Sequence, residues 1–347
     1  MEQLIYKIPS MSQIRSVKQC GLKVVSTFSG CGGSSLGYTM AGCKVVLAVE
    51  FIEHARDIYR LNFPNTKVLD RDIRTIDPVE ELKNIGVGVG ELDILDGSPP
   101  CASFSTAGKG AALWGTKKEY SGKKQKTDDL PYVFCDWILA LKPRCVVMEN
   151  VVGLTIGKSS GHFRELLSKI RSFGYQVASR IIDASLLGVP QARRRVIILA
   201  MRSDMDRQPL FPSPFHTRTV TMREAFGGDD CVRPIEQESF FVNEYMKQKY
   251  GKLRQGETHA LNFSLVRPNL DQPCPTITAQ HSEVTAYSVT HPTQPRKFSL
   301  AELRRLFSFP DDFMVVGSYK LCAERFGRSV PPLMMKAIAE SIKERLL

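Results

Sequence analysis

The residue types best suited to bond-making chemistry in this chain stand where apolar runs end. Residues 92–95 look like a strand and lead through Asp96-Gly97-Ser98-Pro99-Pro100 into Cys101. Such a turn would hold one thiol at the carboxyl end of a strand, the edge at which open α/β sheets bind ligands. A thiol attacks carbon as thiolate, so Cys101 is a candidate nucleophile; a lone cysteine is more often a small buried hydrophobe. A second apolar run, 144–148, ends in Glu149-Asn150-Val151. A partly desolvated carboxyl on the same rim would have a raised pKa and could hold or donate a proton. A third run, 196–200, is entered through Gln191-Ala192-Arg193-Arg194-Arg195. Alternation puts Arg193 and Arg195 on one face and Arg194 on the other. That pair is either a fork for a phosphate or base edge or a basic strand end in solvent.

Upstream of these stands a cradle. Residues 23–28 read as a buried strand, Ser29-Gly30-Cys31-Gly32-Gly33-Ser34-Ser35 as a glycine-rich turn, and 36–41 as the start of a helix. Glycines let the backbone approach a ligand, and a helix start offers free N–H groups. The dinucleotide pattern GxGxxG is not met, because Ser35 occupies the third glycine position. The next strand, 44–49, ends in Glu50, about 20 residues after the turn, where an acid accepts hydrogen bonds from ribose hydroxyls. A solvated strand end is the alternative for Glu50. Phe51 beside it is placed to stack on a purine.

These residues need elements to position them. Residues 54–62 have helical spacing, 68–73 read as a third short strand ending in an acid, and 77–82 as a helix before the strand at 92–95. The order β-α-β-α-β-α-β specifies an α/β fold, a doubly wound, mostly parallel sheet. Residues 102–129 combine glycines with six lysines and little periodicity, which fits either a lid over a phosphate backbone or a flexible charged loop. Helical spacing returns at 130–141 and 163–173, and strand character at 175–182. From about 202 prolines and turn residues interrupt every pattern, except for helical spacing near 240–250. We expect residues 205–289 to form a smaller irregular domain and residues 1–204 plus 290–347 the main one. Near the end, Ser299-Leu300-Ala301-Glu302 is a capping box, and Pro331-Pro332 open a last amphipathic helix to 346.

The chain has 347 residues and a formal charge of +11. That excess suggests a polyanionic partner, nucleic acid before an acidic membrane, although many proteins are simply basic. No apolar run approaches the roughly 20 residues of a membrane helix, and the first 19 residues lack the pattern of a signal peptide. The nine cysteines are odd in number, scattered and without a CxxC pair, which points to a reducing compartment and to neither a disulfide framework nor a zinc cluster.

Taken in order, these motifs resemble the cytosine-5 DNA methyltransferase family over nearly the whole chain outside the irregular stretch. Phe28-Ser29-Gly30-Cys31-Gly32 is similar to its cofactor turn, Pro99-Pro100-Cys101 to its nucleophile motif, and Glu149-Asn150-Val151 to its ENV motif. Gln191 to Arg195 resembles QxRxR, and 267–278 and 326–331 resemble the last two motifs. The resemblance implies the S-adenosylmethionine-dependent methyltransferase fold with 205–289 as target-recognition domain. It implies Cys101, Glu149, Arg193 and Arg195 as catalytic residues acting on a flipped-out cytosine in a specific duplex DNA sequence. Ser105, Asn150 and Gln191 would contact substrate. S-adenosylmethionine would be held by Phe28, Gly30, Gly32, Glu50, Phe51, Asp72, Ile73, Pro100, Leu130 and Ser329, with S-adenosylhomocysteine as product and no metal. It also implies a monomeric, cytoplasmic, nucleoid-associated prokaryotic enzyme, partner of a restriction enzyme. Three features depart from the family: Ala102 replaces its usual glutamine, Arg328 replaces the asparagine of GNSVP, and the irregular domain is short. A tRNA cytosine methyltransferase shares the catalytic motifs, but the Cys-Phe-Thr signature of that type is absent here. A silent DNA-binding relative would be expected to lose the cysteine or the glutamate, and both stand. A nicotinamide dehydrogenase is disfavoured by the missing third glycine.

Overall fold

In the computed structural model, which describes residues 6–100, 118–120, 123–125, 127–157, 159–214, 218–232, 244–283 and 288–347, the apolar runs become strands. They are β1 (Lys23–Thr27), β2 (Lys44–Val49), β3 (Lys67–Leu69), β4 (Ile94–Gly97), β5 (Lys118–Tyr120), β6 (Lys123–Gln125), β7 (Cys145–Val151), β8 (Tyr175–Asp183), β9 (Gln191–Ala192), β10 (Arg194–Arg202), β11 (Glu257–His259), β12 (Asn262–Arg267) and β13 (Cys274–Pro275). The helices are α1 (Met11–Arg15), α2 (Gly33–Met40), α3 (Glu53–Asn62), α4 (Pro78–Lys83), α5 (Leu130–Leu141), α6 (Ser159–Ser172), α7 (Met222–Ala225), α8 (Glu244–Gly251), α9 (Leu300–Leu306), α10 (Tyr319–Arg328) and α11 (Pro332–Leu346).

Seven strands form one sheet in the order β3-β2-β1-β4-β7-β10-β8. β1, β2, β3, β4 and β7 pair in parallel, and β10 runs antiparallel to both neighbours. The sheet is thus doubly wound and mostly parallel. Its strands carry Val, Ile and Leu with almost no alternation because helices cover both faces. On one face Tyr38 of α2 and Met334 and Ile338 of α11 pack over Val24, Ile94 and Val147. On the other, Phe134 and Ile138 of α5 and Ile170 of α6 pack over Leu95, Val146 and Met148.

The inverted strand matters most for the site. Because β10 runs the other way, its first residues lie where β4 and β7 end, with Arg195 opposite Val151 and Ile197 opposite Glu149. The third strand is shorter than its sequence suggests. It stops at Leu69, and Asp72 instead caps a 3₁₀ turn over Ile73–Thr75, its carboxylate accepting from the Arg74 amide at 3.0 Å. Short side chains of this kind compete with the strand ladder for backbone N–H groups.

A third apolar cluster joins distant parts of the chain. Met222, Ala225, Phe226 and Val232 pack with Tyr59, Phe298, Leu303, Phe307 and Phe326. The β11–β12 hairpin is tied down at its base, where the Arg267 guanidinium donates to the carbonyls of Leu253 (2.8 Å) and Pro292 (2.9 Å) and lies over the Tyr250 ring.

Candidate active site

The glycine turn ends β1 in a backbone conformation that side chains rarely adopt: Phe28 has φ 53°. A bulky residue held in the left-handed region is a local strain that the surrounding structure must enforce. Here it turns the chain into the cleft wall. Gly32 and Gly33 have separate reasons. A Cβ on Gly32 would strike the Phe63 ring, and one on Gly33 would strike the Val330 carbonyl, so the segment 329–330 can close against the start of α2.

This turn bounds a cleft that opens to solvent. Phe28, Gly30, Glu50, Phe51, Asp72 and Ile73 line it, and so do Pro100, Leu130 and Ser329. Gly32 does not line it and serves the turn from behind. Glu50 accepts from the Gly30 amide at 2.8 Å and the Ile52 amide at 2.7 Å. Each carboxylate oxygen keeps a second lone pair for a ligand hydroxyl. Burial pushes the Glu50 carboxyl up, while the two amides and Arg325 act against that shift. Phe51 and Ile73, with Leu130 opposite, supply apolar walls. Arg74 ties Asp72 to Asp129, just before Leu130, donating to Asp129 at 2.7 and 2.9 Å. A carboxylate at a strand end beside apolar walls fits an adenosine-containing cofactor.

Sequence reasoning assigned none of the four arginines that line the cleft, Arg71, Arg74, Arg325 and Arg328, to the cofactor site. Arg325 had a usable signal, since it lies one helical turn before Ser329, whose hydroxyl donates to the Arg325 carbonyl at 2.7 Å.

Beyond Pro100 the cleft meets the rim of the sheet. Cys101 and Ser105 lie outside the described residues, as does most of the 102–129 segment. The residues around that rim are described. Glu149, at the end of β7, pairs with Arg195 at 2.9 Å (Oε1 to Nε), both largely buried. Asn150 uses its side chain within the protein: its amide donates to the Pro99 carbonyl at 3.1 Å and its oxygen accepts from the Val151 amide at 2.9 Å. It therefore ties the strand bearing Glu149 to the turn leading into Cys101.

Two expectations need correction. Arg193 and Gln191, read from the sequence as a catalytic and a substrate-binding residue, use their side chains inside the protein. Arg193 is 1% exposed. Its guanidinium donates to the carbonyls of Ile277 (3.0 Å), Gly327 (3.1 Å) and Ser329 (2.9 Å) and sits over the Phe307 ring. Gln191 accepts from the Ile277 amide and donates to the Leu306 carbonyl. Arg195 reaches Glu149 at the rim, whereas Arg193, just before β10, is covered by the chain. Among the described residues no group of three His, Cys, Asp or Glu side chains is arranged to hold a metal ion.

A sequence profile described as C-5 cytosine-specific DNA methylase matches residues 22–344. The type II methyltransferase M1.HphI of Haemophilus parahaemolyticus is 30% identical, over 92% of this chain and 86% of its own. The type II methyltransferase M.HgiDI of Herpetosiphon aurantiacus is 29% identical, over 94% and 95%. Among solved structures, a putative DNA modification methyltransferase encoded within an E. coli prophage superposes with a TM-score of 0.74 at 20% identity, covering 94% of this chain and 99% of its own. DNMT2 of Spodoptera frugiperda superposes at 0.66 with 19% identity, covering 94% and 100%. At such identities these two show the fold alone.

Proposed function

As a member of the C-5 cytosine-specific DNA methylase family, the chain is a DNA (cytosine-5-)-methyltransferase, and we propose that Cys101 is its nucleophile, Glu149 its proton-holding acid and Arg195 its clamp on the cytosine ring. The observation that carries this division of roles is the shared scaffold of one turn. Pro100 lines the cofactor cleft, the Pro99 carbonyl is held by Asn150, the neighbour of Glu149, and Cys101 is the next residue of that turn in the sequence.

Cytosine C5 is too electron-poor to attack a methyl group unaided. Addition of the Cys101 thiolate to C6 moves the ring's C5–C6 π pair onto C5. Glu149 hydrogen-bonds and protonates N3, which keeps negative charge from accumulating on the ring. Arg195, already oriented by Glu149, donates to O2. When bound, S-adenosylmethionine supplies the electrophilic methyl group for C5. Loss of the C5 proton to solvent, with departure of the Cys101 thiolate, then restores aromaticity. A stacked base is out of reach of such a site, so the cytosine is flipped out of the duplex. Glu50 would hold the ribose hydroxyls, Phe51 would stack on adenine with Ile73 and Leu130 flanking it, Asp72 would meet the adenine edge, and Phe28, Gly30 and Ser329 would border the methionine part.

Residues 205–289 choose the DNA sequence, and 1–204 with 290–347 carry the chemistry. The chain acts as a monomer in the cytoplasm, at the nucleoid, as the protecting partner of a restriction enzyme. No helix among the described residues is long and apolar enough to cross a membrane.

The test is sequencing of DNA treated with the purified protein and S-adenosylmethionine, with Cys101→Ser as control. The expected result is 5-methylcytosine at one recurring sequence with the native enzyme and none with the variant. Methyl transfer to tRNA with no 5-methylcytosine in any DNA would overturn the assignment.

A further inference from the structure

At the end of the sheet away from the cleft, two thiols meet. Cys20, shortly before β1, and Cys43, directly before β2, bring their Sγ atoms to 3.8 Å. Main-chain hydrogen bonds fix the two residues side by side: the Cys20 amide donates to the Gly42 carbonyl and the Lys44 amide to the Leu22 carbonyl, each at 2.8 Å. Gly42 permits so close an approach, since its φ is 82° and a Cβ there would strike the Lys18 carbonyl. All eight described cysteines are free, seven of them buried, and Cys20 alone is partly exposed. Among the described thiols a reagent in solution therefore meets Cys20 first, with Cys43 directly behind it.

We propose that Cys20 and Cys43 form a dithiol that a small-molecule disulfide of the glutathione class closes to a reversible disulfide, clasping β1 to the exit of α2. Sulfurs already in contact reach the bond length of about 2.05 Å by side-chain rotation, without moving the paired backbone. The Cys20 thiolate attacks one sulfur of glutathione disulfide, whose S–S bond breaks, and one glutathione leaves as thiolate. Cys43, giving its proton to solvent, then attacks the Cys20 sulfur and displaces the second glutathione. In all, the two protein thiols lose two electrons and two protons, and the reagent is reduced to two thiols.

Burial, and after it the neighbouring Cys20 thiol, push the Cys43 thiol up, while Lys343 of α11 acts the other way. Capping Cys20 removes one of those causes and leaves Lys343 to favour the attacking thiolate. The new bond closes a loop over residues 20–43, which contains β1, the strained turn at Phe28 and all of α2. Both cysteines precede their strands, whereas the cleft lies where those parallel strands finish, at Phe28 and Glu50. The clasp thus secures the glycine turn from behind and leaves the cleft open.

The test is incubation of the full chain with glutathione disulfide, alkylation of the remaining thiols in denaturant, and tryptic mapping by mass spectrometry without reductant. The expected product joins peptide 19–23 to peptide 24–44. Fragmentation should place the link on Cys43 rather than Cys31, and dithiothreitol should release it. The thermal midpoint of the oxidised protein should lie about 5 °C above that of the reduced protein, because the bond restricts the unfolded chain. Cys20→Ser should show neither the linked peptides nor the shift. Glutathione retained on Cys20 with Cys43 alkylated would overturn the proposal, and so would a link from Cys20 to Cys31 or Cys101. A Cys20–Cys43 link that leaves the midpoint unchanged, or a shift that persists in Cys20→Ser, overturns the clasp.

Discussion

Arg195 meets Glu149 at the rim of the sheet, whereas Arg193, two residues earlier, joins three carbonyls from the segments at 277 and 327–329. The two arginines should therefore fail differently when changed, one through stability and the other through its partner's chemistry. Arg193→Met leaves three buried carbonyls without donors, which costs on the order of 3 kcal/mol. Because one of those carbonyls is that of Ser329 in the cleft wall, cofactor affinity should fall as well. Glu149→Gln keeps shape and a hydrogen-bond acceptor toward Arg195 but cannot hold the N3 proton. We expect it to unfold at nearly the native denaturant concentration and to lose about 100-fold or more in kcat. Urea titration together with single-turnover kinetics separates the two; equal stability losses would refute the distinction. The contrast also marks what a sequence can reveal about single residues. Glu149 and Glu50 were legible because an acid at the end of an apolar run is a local pattern. The roles of Gln191 and Arg193 were not, because their partners at 277, 306 and 327–329 come from more than 80 residues away and only folding brings them near.

At the scale of elements the same divide runs through α9. Its start was readable, since the capping box is contained in four residues: the Ser299 hydroxyl accepts from the Glu302 amide, and Glu302 accepts from the Ser299 amide at 2.7 Å. Glu302 has a second task that spacing did not announce. It is fully buried and receives both terminal nitrogens of Arg296 at 2.7 Å each, with His291 Nε2 at 3.3 Å. Burial alone would push this carboxyl up, but Arg296 and His291 hold it down to about 2. A carboxyl depressed from the usual 4.5 contributes stability that is present above that value and is lost as pH falls toward 2. Arg296→Met strands the charge, which costs about 3–5 kcal/mol at neutral pH. It should also move the acid-unfolding midpoint upward, because the stability that the ionised pair contributes between the usual 4.5 and about 2 is gone, and the deficit narrows only as Glu302 is protonated. Acid titration followed by circular dichroism reads this directly, and an unchanged midpoint would mean that the pair carries no net stabilisation. The strand order of the large sheet was likewise only half legible. Alternating strands and helices imply a parallel sheet, but nothing local says that β10 inserts in reverse between β7 and β8, the inversion that brings Arg195 to the rim.

Over the whole molecule, positive charge is unevenly divided along the chain. Residues 205–289 hold nine Lys and Arg against ten Asp and Glu, so the entire excess of +11 belongs to the remainder. The part read as choosing the sequence must then meet DNA largely without net charge. Its hairpin offers another means: Leu261 and Phe263 are 85% and 80% exposed, although Leu265, two residues on, is fully buried and Arg267 fixes the base. Large apolar side chains on an anchored hairpin tip are unusual on a free surface and mark a contact site. Phosphate contacts and apolar contacts have different signatures, because only the former release counterions. Phe263→Ser should weaken DNA binding by at least about tenfold, the loss of about 1.5–3 kcal/mol from burying a phenyl ring. The slope of log affinity against log salt should stay that of the native protein, since the charge that sets it lies elsewhere. Fluorescence anisotropy over a salt series measures both quantities at once. A reduced slope would place Phe263 among the residues that order the basic surface, and an unchanged affinity would remove the hairpin tip from the DNA interface.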